Sequence, residues 1–266
     1  WTIMPFDAFF NFRIQIINKN LSVIVAMSLE THLKQLIHTT GPLSVASFMH
    51  EALSHPQYGY YQQRPPFGAA GDFITAPEIS QIFGELLGIW CAYGWQQMGS
   101  PSPCMLVEMG PGNGTMMEDI LRATRHIKGF HDALEVHCIE TSPRLTQIQQ
   151  KRFRAIKGPR FFWHTHLSLL PEKPMLLVAN ELFDALPIHQ YVHTGKSGWR
   201  EKLIGLNETG NLTFMLAAGT DLTGVEIATR HPNAPEGAVV EHCPAAEAIM
   251  AETASRMRRY PGMALI

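Results

Sequence analysis

The sequence predicts an α/β protein: a mostly parallel sheet with flanking helices, an N-terminal helical cap and a β-rich insertion. Three observations predict it. Short strand-like runs at Cys104–Met109, Leu134–Ile139, Met175–Ala179 and Met263–Ile266, the last two wholly apolar, suit strands buried on both faces, where alternate side chains all meet a covering layer. Segments with helical spacing separate most of these runs, so βαβ units with right-handed crossovers are the expected outcome. A glycine-rich turn, Gly110-Pro111-Gly112-Asn113-Gly114, joins the first run to a helix.

Residues 1–26 mix aromatic and β-branched side chains around Arg13 and Lys19. That pattern suits neither a secretory signal nor an Arg- and Ser-rich transit peptide, and a leader or upstream extension outside the working domain is expected there. The cap is expected over 27–100. Ser28, followed by Leu29, Leu33, Leu36 and Ile37, starts a capped amphipathic helix. Ser44–Ser54 is a second helix with Val45, Phe48, Met49 and Leu53 on one face. His55–Tyr61 and Arg64–Gly68 are turn and loop, rich in Pro, Gly and aromatics. A third helix is expected over Pro77–Met98, with Ile79, Ile82, Phe83, Leu86, Leu87 and Trp90 as its core face.

The second unit is expected over 101–266. After the strand Cys104–Met109 come a helix over Asn113–Ile127, the strand Leu134–Ile139, a helix over Pro143–Arg154 and the strand Met175–Ala179. Alternating residues with Gly and Asn turns place the β-rich insertion at about 188–240. A helix over Pro244–Tyr260 and the strand Met263–Ile266 follow. The chain stops at that strand, so a C-terminally truncated domain is expected.

Composition narrows the function classes. The 266 residues are 45% hydrophobic and carry 21 Lys+Arg against 23 Asp+Glu, a net charge of −2, which argues against a polycationic nucleic-acid binder. No apolar run reaches the length of a membrane-spanning helix. Cys91, Cys104, Cys138 and Cys243 lie far apart without metal spacing, and reduced thiols are expected. The thirteen histidines form no His-Glu-x-x-His and no third ligand joins His164 and His166, so no metal is expected.

The chemistry is carried by the glycine turn and two acids. Glycines at a strand-to-helix turn let the backbone approach a ligand, while the helix N-terminus presents unpaired N–H groups. The spacing of Gly110, Gly112 and Gly114 is G-x-G-x-G, not the G-x-G-x-x-G of dinucleotide enzymes. Glu108 stands at the strand end, where it can face a cationic ligand. Glu140 ends the second strand, 26 residues beyond Gly114, where an acid hydrogen-bonds ribose hydroxyls and disfavours a phosphorylated ribose. A nucleoside with a free diol and a cationic tail meets these demands, and S-adenosyl-L-methionine is such a ligand.

The strings around these residues are more specific. They are Glu108-x-Gly110-x-Gly112-x-Gly114 with Glu140, His55-Pro56-x-x-Gly59-Tyr60-Tyr61, Gly71-Asp72-Phe73-x-Thr75-Ala76-Pro77-Glu78, and Asn180-Glu181-Leu182-Phe183-Asp184-Ala185-Leu186-Pro187. In this order they resemble the MidA-like family of class I methyltransferases. The resemblance implies a Rossmann-like fold, S-adenosyl-L-methionine as cofactor, and methyl transfer to a protein arginine in respiratory complex I assembly, with a complex I subunit as client. On that basis Glu181 and Asp184 orient the guanidinium as a carboxylate pair, with Asn180 opening their loop. Asp72, Thr75 and Glu78 close over the methionine end of the cofactor. Capping of a local turn remains the alternative role for Asn180 and Asp184. One departure concerns adenine: the family carries an acid shortly after a Trp, whereas Trp163 is followed by His164-Thr165-His166. A non-catalytic assembly factor and a nicotinamide-dependent oxidoreductase are the other readings. Bacterial cytoplasm is the expected compartment, with the mitochondrial matrix as alternative.

Overall fold

A computed structural model describes residues 28–60 and 76–266, so the expected leader, the loop Arg64–Gly68, Asp72 and Thr75 lie outside the described residues. Helix α1 (Leu29–Thr40) begins where the Ser28 hydroxyl accepts the Thr31 N–H, and buries Leu33 and Ile37. Strand β1 (Leu43–Ser44) leads into α2 (Val45–Ser54), capped in the same way by Ser44. The expected third helix is divided into α3 (Ala76–Ile79) and α4 (Gln81–Gln97), because Ser80 accepts the Ile82 N–H and caps a new start.

The expected core face of that helix needs a larger correction. Phe83, Leu87 and Trp90 do pack on the core. Ile79, Ile82 and Leu86 are instead 69%, 63% and 61% exposed, and the buried residues of α4 are Gly84, Gly88, Cys91, Ala92, Gly94 and Trp95. The reason is close approach. A Cβ on Gly84 would lie 2.6 Å from the Asp119 Cβ, and one on Gly88 would lie 2.9 Å from the Ile120 carbonyl oxygen. Helix packing selects the small residues, and the large apolar ones face outward.

Strand β2 (Cys104–Met109) is followed by α5 (Thr115–Thr124), the short α6 (Phe130–Ala133), β3 (Leu134–Ile139), α7 (Pro143–Phe153), β4 (Arg160–His164) and β5 (Met175–Val178). Then come β6 (His189–His193), β7 (Trp199–Leu206), β8 (Leu212–Leu216), α8 (Leu222–Arg230), β9 (Val239–His242), α9 (Pro244–Arg259) and β10 (Gly262–Leu265). The sequence missed β4, an edge strand that pairs only with β3 and whose residues are exposed at Arg160 and partly buried from Phe161 to His164.

Two sheets result. One is wholly parallel in the order β10-β5-β2-β3-β4. Residues such as Leu106, Val136 and Leu176 pack on one of its faces against Trp95, Met117, Ile120 and Phe153. Met105, Val107 and Leu177 pack on the other, with Leu167, Ile249 and Met257. The chain runs outward from β2 to β3 and β4, then returns to place β5 on the opposite side of β2. Strand order therefore reverses between β2 and β5, and open α/β folds bind ligands at the carboxyl ends of such a pair.

The second sheet is antiparallel, β1-β7-β6-β9 with β8 also on β7. It takes a strand from either side of the expected division at residue 100: Leu43 pairs with Ile204, and α1 and α2 bury Leu33, Ile37 and Phe48 against it. Residues 28–54 thus pack with the insertion, while α4 packs with the parallel sheet. Pairing across so long a stretch of chain leaves no local signal. No described helix is long and apolar enough to cross a membrane.

Candidate functional site

The site is built at the carboxyl ends of β2, β3 and β5. Register sets its parts side by side: Glu108 pairs with Cys138 on one side and Val178 on the other. The turn after β2 carries Gly110, Gly112 and Gly114 at φ +68°, +54° and +80°, a region L side chains rarely enter. It is also hemmed in. A Cβ on Gly114 would lie 2.7 Å from the Phe153 ring of α7, and one on Gly110 would lie 3.0 Å from Leu182. Leu182 belongs to the segment after β5, so the Asn180–Pro187 string lies against the glycine turn. Helix α5 opens at Gly114 with no side-chain cap on its first N–H groups.

Glu108 is 2% exposed and its Oε2 has no hydrogen-bond partner among the described residues. Burial first, and the charge of Glu140 second, push its carboxyl up to about 8. The two acids are therefore close enough to sense each other. Glu140 is better served: its Oε1 accepts the Ser142 N–H at 2.8 Å and its Oε2 accepts from Gln149 Nε2 at 3.1 Å. Burial still raises its carboxyl, against the lowering effect of those bonds.

Gln149 is the residue that sequence reasoning missed. It lies on α7 between Leu145 and Phe153, one helical turn from each, and all three are buried. Its Nε2 also donates to the Gly112 carbonyl at 2.8 Å, and its Oε1 accepts the Trp163 indole N–H at 3.0 Å. A glutamine within an otherwise buried stripe was the available signal. Trp163 thus turns its only donor toward Gln149.

Glu78, on α3, accepts from the Thr115 hydroxyl at 2.9 Å and from Asn113 Nδ2 at 3.3 Å. It clasps the glycine turn from the outside, a hydrogen-bonding duty beyond the helix start it also occupies. Glu181 and Asp184 are exposed and Asn180 is half-buried. Glu181 takes a left-handed φ of +53°, and its carboxyl is raised by loss of solvent and then by the neighbouring Asp184. Asp184 lies in a one-turn 3-10 helix, Phe183–Ala185.

Two histidine groups lie outside this site. His137 stacks on His164 with their nitrogens 2.9 Å apart, and burial pushes His137 down to about 4. Strand β4 ends at His164, and His166 lies beyond it. His32, Glu51 and His55 also gather, with His32 Nε2 2.8 Å from Glu51. Nδ1 of His55 accepts N–H groups from Gln57 and Tyr58 at 3.1 and 3.0 Å, so its proton sits on Nε2. All four thiols are free, and Cys91, Cys104 and Cys138 are buried.

A parallel α/β sheet with a glycine turn and two acids at its switch point defines a nucleoside-binding Rossmann-like protein. The residues fit such a ligand: the first N–H groups of α5 are uncapped beside the turn, and the buried Glu108 Oε2 has no hydrogen-bond partner among the described residues. The chain belongs to the family described as "Putative S-adenosyl-L-methionine-dependent methyltransferase", whose model matches residues 86–266. It is 37% identical over 266 residues to "Protein arginine methyltransferase NDUFAF7, mitochondrial" of Danio rerio, an alignment covering 90% of this chain and 61% of that protein. The Homo sapiens protein of the same name is 36% identical over 258 residues, covering 88% of this chain and 57% of that one. The chain thus spans about three-fifths of the length of these relatives. A Burkholderia thailandensis crystal structure bound to S-adenosyl-homocysteine superposes with a TM-score of 0.70 at 24% identity, over 86% of this chain and 59% of that one. The native form of a protein from the same organism gives 0.69 at 26% identity, over 86% and 57%.

Proposed function

We propose that this chain carries the cofactor-binding half of an S-adenosyl-L-methionine-dependent methyltransferase acting on a protein arginine, with a complex I subunit as client in the mitochondrial matrix. The observation that carries the reading is the pair of acids, Glu108 and Glu140, flanking a positive-φ glycine turn at the strand-order reversal. The names of the curated relatives support the arginine acceptor, and support mitochondria over the bacterial cytoplasm expected from the sequence.

The cofactor supplies a methyl group activated by a sulfonium. Gly110, Gly112 and Gly114 admit it against the backbone, Glu140 accepts from the ribose hydroxyls, and Glu108 faces its cationic amino acid end. Glu181 and Asp184 hold the incoming guanidinium in line and stabilise the proton it sheds, with Asn180 setting their loop. Glu78 keeps the turn in shape through Thr115 and Asn113. Asp72 and Thr75, outside the described residues, retain the role of closing over the methionine end.

Calorimetric titration with S-adenosyl-homocysteine tests the binding half. Saturable binding is expected, and Glu140→Ala is expected to weaken it by about 1–3 kcal/mol. No heat with the unmodified chain sinks the reading. Transfer is tested by incubation with methyl-labelled cofactor and a mitochondrial extract; label on arginine, lost in Glu181→Gln, is the expected result.

A further inference from the structure

The amide of Gln149 is held without choice of orientation. An indole N–H can only donate, so the Gln149 oxygen faces Trp163, 3.0 Å away. The planar amide then aims its two N–H bonds the other way, one at the Gly112 carbonyl and one at Glu140 Oε2, at 2.8 and 3.1 Å. Gln149 is 0% exposed, so water does not compete for these groups. The other Glu140 oxygen is fixed by the Ser142 N–H. A carboxylate offers about four acceptor sites, so these bonds and that of the Thr141 N–H leave Glu140 with acceptor capacity to spare.

We infer that Gln149 is a positioning residue, which sets the angle at which Glu140 offers its remaining lone pairs to a vicinal diol and ties that carboxylate to the glycine turn. A leucine would fill the same volume and complete the buried stripe of α7 without unpaired polar atoms of its own. The glutamine instead joins three separate elements: the turn after β2, the end of β3 and the edge strand β4. Trp163 acts through it, as the fixed donor that decides which way the amide faces. The inference rests on the nucleoside reading of the site.

The test compares binding of S-adenosyl-homocysteine with that of its analogue lacking both ribose hydroxyls, by calorimetry on the whole chain. The unmodified protein is expected to prefer the parent compound by tenfold or more, about the worth of hydrogen bonds to a charged acceptor. Gln149→Leu is expected to lose about tenfold on the parent and to stay within about twofold on the analogue. A purely structural role lowers both alike. Equal losses on the two ligands, or a preference as large as that of the unmodified protein, overturn the inference while leaving Glu140 in place. No preference in the unmodified protein overturns the reading of Glu140 and this inference together. Trp163→Phe keeps the ring and removes only the indole donor, and serves if the leucine variant does not fold. It is expected to narrow the preference severalfold, and an unchanged preference counts against the proposal.

Discussion

Glu108→Gln should make the protein more tolerant of alkaline pH. The Glu108 carboxyl is fully buried and raised from 4.5 to about 8, so folding holds a proton that the unfolded chain releases. The stabilising effect of that proton is complete below pH 4.5 and is lost as pH climbs toward 8. The gap corresponds to about 4–5 kcal/mol as an upper figure, and water entry or local relaxation would bring the observable to about 2–4 kcal/mol. For a chain of this size that is roughly 5–15 °C in melting temperature. Glutamine keeps the shape of the protonated acid and does not titrate. Melting curves followed by near-UV circular dichroism between pH 5 and 8.5 should therefore converge at the acid end and separate at the alkaline end, with Gln the more stable. Parallel curves would refute the assignment of a buried, proton-holding Glu108. A cationic ligand seated against this carboxyl should in turn narrow the separation.

Gly114→Ala forces a Cβ to within 2.7 Å of the Phe153 ring at a φ of +80°, and should cost about 1–3 kcal/mol by urea titration. Gly84→Ala should also destabilise, by about 1–3 kcal/mol despite the better helix propensity of alanine, because its Cβ meets Asp119 at 2.6 Å. Leu86→Ser, on the outward side of the same helix, should change stability by less than about 0.5 kcal/mol, whereas a core leucine would cost several times that. His137, held down to about 4 from 6.5, should lose its contribution as pH falls from 6.5 toward 4; His137→Phe should flatten that part of the acid melting profile.

What the sequence made legible was local or periodic. Strands β2 and β3 fall on their expected residues because short, mostly apolar runs ahead of a turn suit a strand covered on both faces. The glycine turn was legible because positive φ leaves few substitutes. Helix α4 misled because apolar periodicity does not tell which neighbour sets the contact; two glycines over Asp119 and Ile120 outweighed Ile82 and Leu86. Gln149 escaped notice because its partners Gly112, Glu140 and Trp163 come from three strand ends that only the folded sheet brings together. Pairing of Leu43 with Ile204 was hidden for the same reason.

That last pairing bears on how the chain is made. Helices α1 and α2 leave the ribosome with their apolar sides bare, and their platform strand, β7, is synthesised about 160 residues later. At ordinary elongation speeds the wait is on the order of ten seconds. The nascent chain carries an unshielded greasy surface throughout, so the N-terminal helices are a natural client for chaperones long before the parallel sheet closes.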